Sequence, residues 1–394
     1  MPVFFEKLKI LKENRLFREI KDRTSPQGPK VKFGDREYLN FSSNDYLGLA
    51  NHPYIIDKAK KALDDYGYGS AASRLLGGGS ILHKELEDKI AKFKDTEAAL
   101  IFNSGYAANT GIIPAMGGED DAIFSDELNH ASIIDGCRLS RAKTLIYRHK
   151  DLSHLKDLIR KEDAKRKIVI TDTVFSMNGD ITPLRGIYDL CLTLNSELPT
   201  PNSVLLYIDD AHGTGVLGKG KGALSHFNIR PEHWIIQMGT FSKALGSFGA
   251  FVTGSRDIIE WILNTARSFI FSTALPSCVM AASIAALELI ENDSELIKRL
   301  WANRDRVADC IKEIGYDIME SGTPIIPIKT ETVENTLRVS KYLYEEKGIF
   351  APAIRPPTVK ESRIRITVTA AHTDEDIERL IEALKEVKWQ RVFS

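Results

Sequence analysis

Cysteine is scarce and scattered: Cys137, Cys191, Cys278 and Cys310 are the only four, with no CxxC pair and no Cys/His spacing that would hold zinc. A disulfide framework and a structural metal site are therefore excluded as the basis of the fold, and no metal is expected at the site. Reduced thiols in a cytoplasmic protein are the simplest reading. Charge of either sign is not in excess. With 53 basic against 54 acidic residues the formal net charge is −1, and nothing points to a nucleic-acid partner or an anionic membrane surface. No uninterrupted apolar run is long enough to cross a bilayer. The start, Met1-Pro2-Val3-Phe4-Phe5-Glu6-Lys7, breaks into charge where a secretion signal needs an apolar core. Repeats, low-complexity segments and flexible linkers are missing too. What remains is 394 residues of ordinary globular composition, 43% hydrophobic, enough for a large core and more than one domain.

From about residue 50 to 285, β-rich apolar runs alternate with helical patterns. The candidate strands are Ala98–Phe102, Ala122–Phe124, Thr144–Tyr147, Ile168–Thr171, Val204–Ile208, Trp234–Met238 and Ala250–Thr253. Seven such runs separated by helices predict an α/β fold with a mainly parallel seven-stranded sheet covered on both faces. Functional groups should then gather at the strand carboxyl ends. Upstream, residues 5–22 read as a charged amphipathic helix with Leu8, Leu11, Leu16 and Ile20 as its apolar contacts, stopped by Pro26-Gln27-Gly28-Pro29. A short strand-turn-strand follows, Val31–Phe33 and then Tyr38–Phe41. Downstream, a long helix (Ser283–Ile314), short strands (Ile325–Ile328, Arg363–Val368) and helices at Val333–Lys347 and Thr373–Val387 predict an α+β region. The expected division is 1–48 as an N-terminal helix and arm, 49–285 as the large α/β domain and 286–394 as a small C-terminal domain.

The chemistry concentrates at two strand ends. Val204–Ile208 runs into Asp209-Asp210-Ala211-His212-Gly213, and 34 positions after Asp209 stands Lys243, within Gly239-Thr240-Phe241-Ser242-Lys243-Ala244-Leu245-Gly246. A strand that delivers an acid and a histidine, followed by one that delivers a lysine among small residues, suits a pyridoxal phosphate site. The lysine would carry the aldehyde as a Schiff base, and the carboxylate would keep the pyridine nitrogen protonated so that the ring accepts electrons. Asp209 is favoured on strand parity, while Asp210 can equally be a cap or a solvated neighbour. His212 can be a structural loop histidine or a partner of the cofactor's phenolic oxygen. Thr240 and Ser242 offer hydroxyls to a phosphate. So does the helix start in Asn103–Asn109, where Gly105 permits close approach, although an ordinary strand-to-helix turn would look much the same. His130, after the Ala122–Phe124 run, can stack on a ring or merely cap the next helix. Arg363 and Arg365 alternate in Arg-Ile-Arg-Ile-Thr-Val-Thr and so share a face. An arginine fork there suits a carboxylate, and surface arginines on an edge strand are the bland alternative. Gly213–Gly220 nearly spells a P-loop, but Gly220 stands where Mg²⁺ would need Ser or Thr.

In order along the chain, Asn40–Gly48 (NFSSNDYLG), Gly69–Gly77 (GSAASRLLG), Asn103–Asn109 (NSGYAAN), Asp209–Gly215 (DDAHGTG) and Thr240–Lys243 (TFSK) resemble the motifs of the α-oxoamine synthases. These are fold-type I pyridoxal phosphate enzymes that join an amino acid to an acyl thioester with loss of CO₂. The resemblance implies the aspartate aminotransferase-like fold, pyridoxal 5′-phosphate as cofactor, and a homodimer with shared sites. Within the family, Ala353–Val359 (AIRPPTV) resembles members that condense L-alanine with pimeloyl-CoA or a pimeloyl carrier protein in biotin synthesis. Glycine-using members are the alternative inside the family, and a P-loop-like nucleotide-binding protein the alternative outside it. Carried over by motif, Lys243 binds the cofactor and moves the α-proton, Asp209 pairs with the pyridine nitrogen, His212 and Ser176 contact the phenolic oxygen, and His130 stacks on the ring. Gly105, Tyr106 and Thr240 hold the phosphate, and Ser272-Thr273 reaches that of a neighbouring subunit. Arg365 binds the amino-acid carboxylate, with Asn44 on the substrate side, and Arg18 and Thr358 contact the acyl chain. Ser70–Ser73 stands where many members carry a Gly-Gly-type segment, which leaves acyl preference open there.

Overall fold

In the computed structural model, which describes residues 3–14, 16–197 and 204–389, the seven expected strands join one sheet. Their spatial order is Ala98–Phe102, Ala250–Gly254, Ile235–Thr240, Val204–Asp209, Lys167–Asp172, Ala122–Asp126 and Lys143–Tyr147. Ala250–Gly254 alone runs against its neighbours, antiparallel to both Ala98–Phe102 and Ile235–Thr240. The strand period of two divides the side chains between two cores. Phe124, Val169, Leu206, Ile208 and Phe251 pack on one face, under the helices Ile81–Phe93, Leu184–Glu197 and Ser277–Asn292. Ile123, Ile168, Ile170, Tyr207 and Val252 pack on the other, under Gly105–Met116, Ala131–Leu139 and Arg256–Thr265. Burial on both faces is what apolar runs without alternation require. Four strands extend past the apolar run to end in Asp126, Asp172, Asp209 and Thr240, because the backbone ladder continues after hydropathy falls.

Two expected helices are corrected. The N-terminal helix spans only Phe5–Glu13 and buries none of its residues; Leu16 and Phe17 donate back to Leu11 O and close its end. With no core to receive it, Ile20 is 89% exposed, so apolar periodicity had nothing to reward further turns. The long helix expected over Ser283–Ile314 is two, Ser277–Asn292 and Ser294–Glu313. Asp293 breaks them at φ −122° and ψ 87°, and its carboxylate caps the second by accepting the Glu295 N–H at 2.9 Å.

Beyond the sheet, Arg363–Thr367 is the central strand of a three-stranded sheet, antiparallel to Ile325–Lys329 and Ala353–Ile354. The hairpin Lys30–Phe33 and Arg36–Asn40 is joined by Ile349–Phe350. Leu39 and Phe41 consequently pack into the same core as Val307, Ile326 and Ile364. Among the described residues no helix is long and apolar enough to cross a membrane.

Candidate active site

A cavity of about 230 Å³ opens at the carboxyl ends of the central strands, and Asp209, His212, Lys243, His130, Gly105 and Tyr106 are all on its wall. Asp209 shares the sheet face of Tyr207, so it meets the helix Gly105–Met116. Asn109 Nδ2 donates to it at 2.8 Å and the Ala211 N–H at 3.0 Å, while the Asn109 oxygen accepts from the Tyr207 hydroxyl at 2.6 Å. Those two bonds leave the buried carboxylate with unused lone pairs, a position that a cation relieves. Lys243, half-buried, lies within its field. Desolvation draws the lysine amine below its ordinary range with help from the Arg365 charge, while Asp209 and Asp172 pull the other way. A larger neutral fraction makes that amine a better nucleophile and base.

His212 is buried and its imidazole is held well below the usual range by desolvation, then by Lys243, Arg365 and His130. His130 takes both roles open to it. It caps the helix Ala131–Leu139, with Nδ1 accepting the Ser132 N–H at 3.3 Å, and it also lines the cavity. Asp172, which the sequence reading passed over, lies in register with Asp209 on the neighbouring strand and accepts the His130 backbone N–H at 2.7 Å. Burial, and then the Asp209 charge, push its carboxyl far up. The signal was available: Asp172 ends an apolar run just as Asp209 does.

Gly105 opens the helix behind the Ser104 cap, whose hydroxyl accepts the Ala107 N–H at 3.1 Å. A Cβ built on Gly105 would meet only the Met238 side chain, at 3.8 Å, so packing within the protein does not demand glycine there. What a methyl would narrow is the cavity at a helix start, where an anion is favoured. Thr240 lines the wall too, but its hydroxyl donates to Gly249 O at 2.7 Å and accepts the Ser242 N–H at 3.2 Å. Its proton is therefore committed, and the Ser242 hydroxyl, 2.7 Å away, donates to it in turn. Ser272 and Thr273 are not brought to this cavity; they line a separate pocket beside Arg74 and His83.

Arg365 is neither at an edge nor on the surface. It is 5% exposed and bonds Ser176 O at 2.7 Å, Thr367 Oγ1 at 2.8 Å and Asn44 Oδ1 at 3.0 Å. These partners occupy three of its five N–H groups, so a carboxylate gripped here would share the guanidinium with them. Arg18 and Thr358, 340 positions apart, come within 3.4 Å on a second cavity of about 670 Å³.

Ser176 sits on a turn held from behind by His149. The imidazole bridges two buried carboxylates, Asp126 at 2.9 Å from Nδ1 and Asp180 at 2.8 Å from Nε2, and packs edge-on against Phe175. Burial alone would lower the His149 pKa, but the bonds and charges of Asp126 and Asp180 overcome it and push it up to about 9. Unfolded histidine titrates near ~6.5, so this stabilisation is complete below that pH and is lost as pH rises through about 9. Folding free energy should fall by up to roughly 3 kcal/mol across that window. Chemical denaturation of wild type against His149→Gln checks it, since the variant should lack this slope; parallel profiles would refute the clasp.

Asp210, one residue on and therefore on the opposite face, is structural. Its carboxylate meets the fully buried Lys94 ammonium at 2.7 Å, with Thr173, Thr214 and the Ala223 N–H as further donors. The glycine-rich loop that nearly spells a P-loop runs on to close around this pair. Lys94 donates to Lys221 O at 2.8 Å, and Gly222, at φ +100°, has no room for a Cβ, which would lie 1.9 Å from Asp210 Oδ2. The loop thus encloses an internal cation.

Pyridoxal phosphate fits these residues: a carboxylate with open lone pairs for the ring nitrogen, a lysine of lowered basicity for the aldehyde, and a helix start for the phosphate. Comparison with known proteins agrees. Residues 36–384 match the class I and II aminotransferase family. The chain is 43% identical over 387 residues to the 8-amino-7-oxononanoate synthase of Thermoanaerobacter pseudethanolicus, covering 97% of this chain and 95% of that one. It resembles the crystal structure of 8-amino-7-oxononanoate synthase from Francisella tularensis at 29% identity and TM-score 0.76, covering 90% of this chain and 98% of that one. It also resembles Sphingomonas wittichii serine palmitoyltransferase at 26% identity and TM-score 0.89, covering 99% and 97%.

Proposed function

The chain belongs to the class I and II aminotransferase family, in its α-oxoamine synthase branch, and from that premise we propose that it joins L-alanine to a pimeloyl thioester. It is a pyridoxal phosphate-dependent acyltransferase. In the proposed reaction CO₂ and the thiol carrier, CoA or a carrier protein, leave, and the product is 8-amino-7-oxononanoate on the way to biotin. One observation carries the reading: Lys243 and Asp209, placed by adjacent parallel strands, line one cavity with the Gly105 helix start.

Bound there, pyridoxal phosphate supplies an aldehyde for amines and a cationic ring that accepts the electron pair released at the amino acid's α-carbon. Asp209, oriented by Asn109 and the Ala211 N–H, holds the ring nitrogen's proton by charge. Lys243 removes the α-proton and later returns one. His212 and Ser176 meet the phenolic oxygen, His130 lies against the ring, and the helix start at Gly105 and Tyr106 holds the phosphate, with Thr240 behind. Arg365, with Asn44 beside it, takes the alanine carboxylate. Ser272 and Thr273 serve the phosphate of a partner subunit in a homodimer, in keeping with their place outside their own chain's cavity. The second cavity sets Arg18 and Lys21 among Phe350, Ile354 and Pro356, and cations on apolar walls suit methylenes that end in a carboxylate.

A matrix of amino acids against acyl thioesters, read as product mass, tests the proposal. Alanine with pimeloyl-CoA should turn over faster than glycine with pimeloyl- or acetyl-CoA. Equal or better turnover of glycine with acetyl-CoA reassigns the chain to the glycine-using branch.

A further inference from the structure

Tyr46 stands directly behind His212. It is 1% exposed, and its phenol oxygen lies 2.6 Å from His212 Nδ1 and 3.5 Å from Asn44 Oδ1. The Arg365 guanidinium donates through Nη2 to Asn44 Oδ1 at 3.0 Å, and its charge acts on the same phenol.

The phenol has one hydrogen to place, and two assignments compete. It can donate to His212 Nδ1, or it can turn toward Asn44 while a protonated Nδ1 donates to it. The second assignment needs an O–H···O bond of 3.5 Å, beyond the usual ~2.5–3.0 Å, onto an amide oxygen already engaged by arginine. The first uses the 2.6 Å contact. Arginine can only donate, so the nearby guanidinium offers the phenol hydrogen no acceptor, and the imidazole is left to take it.

We propose that Tyr46 is the positioning residue that fixes His212 as the Nε2–H tautomer, so that the histidine presents a hydrogen-bond donor to the cavity. Burial pushes the phenol up to about 12 and keeps the imidazole neutral, which maintains one hydrogen on each. In a neutral imidazole an accepting Nδ1 obliges Nε2 to carry the proton. What Nε2 faces rests on the function proposed above: the phenolic oxygen of pyridoxal phosphate, which a donor holds as the anion. The tautomer itself is a property of the chain. Arg365, the candidate carboxylate grip, belongs to the same run of bonds, so a substrate carboxylate alters the field on a phenol one hydrogen bond from His212.

The test uses the full-length protein labelled with ¹⁵N-histidine, stripped of cofactor and reloaded with pyridoxal phosphate. Long-range ¹H–¹⁵N correlation reports which ring nitrogen is protonated, and His212→Gln identifies the signal by its loss. Wild type should show Nε2 protonated and Nδ1 bare. Tyr46→Phe, which keeps the ring volume, should lose that preference and populate the Nδ1–H form, and its cofactor-loaded visible band should move from the wild-type wavelength. A wild-type His212 protonated at Nδ1 overturns the proposal, and so does an unchanged tautomer in Tyr46→Phe. Should that variant fail to fold, the wild-type spectrum still decides. A protein that binds no pyridoxal phosphate yet shows Nε2–H upholds the role of Tyr46 and overturns the cofactor reading instead.

Discussion

Lys94→Met should cost the fold about 3–5 kcal/mol, the usual penalty for leaving one member of a buried ion pair uncompensated. Lys94 is completely buried, and each of its three ammonium hydrogens has a partner: Asp210 at 2.7 Å, Thr214 at 2.8 Å and Lys221 O at 2.8 Å. Methionine keeps much of the length and removes the charge. Asp210, fully buried, would then face only hydroxyls and one amide, and the loop through Gly222 would lose the bond to Lys221 O. Because Asp210 sits in the turn that carries Asp209 and His212, activity should fall with stability. The double variant Lys94→Met/Asp210→Asn removes the stranded charge and should recover a large part of the loss. Denaturant titration of wild type, single and double variants measures both effects. A single-variant cost below about 1 kcal/mol, the range of exposed pairs, would show that the pair is solvated and the account of the loop wrong.

Lys94 also shows where sequence reading stops. In Ile81–Phe93-Lys94 it looks like one more surface lysine at a helix end, and only the chain's return through Asp210 and Lys221 turns it inward. The seven strands were legible because both of their faces are buried, which leaves uninterrupted apolar runs. Their last residues were not, since Asp126, Asp172 and Thr240 are polar and the ladder continues through them. That Asp209 and Asp210 go to opposite sides follows from parity: alternate residues go to opposite cores, and Asp209 shares a face with Tyr207 and reaches Asn109. The His149 clasp could not be read, as its three members come from three separate segments. Tyr46 was hidden for a related reason, because its motif lies 166 positions from His212. The N-terminal helix was read too long for the opposite cause, a periodic pattern that no core receives.

Lys243→Ala, by contrast, should leave stability nearly unchanged and lower turnover by at least the ~10²–10⁴-fold that a positioned acid–base group contributes. Its side chain is half-buried on a cavity wall, so truncation enlarges an open space and creates no void in the packed core. The amine's lowered basicity stabilises nothing; desolvation makes the charged form costly, and the neighbouring Asp209 and Asp172 only partly offset that. Pyridoxal phosphate should still bind noncovalently, because Asp209, the Gly105 helix start and His130 are untouched. It should be lost on dialysis more readily than from wild type, where by the proposed role the lysine amine would hold the aldehyde. Two lysines of one chain therefore separate cleanly: removing Lys94 unfolds, removing Lys243 disarms. Paired measurement of denaturation midpoint and product formation on both variants distinguishes them. If Lys243→Ala keeps more than about a tenth of wild-type turnover, another group moves the α-proton and the role given to this lysine is wrong.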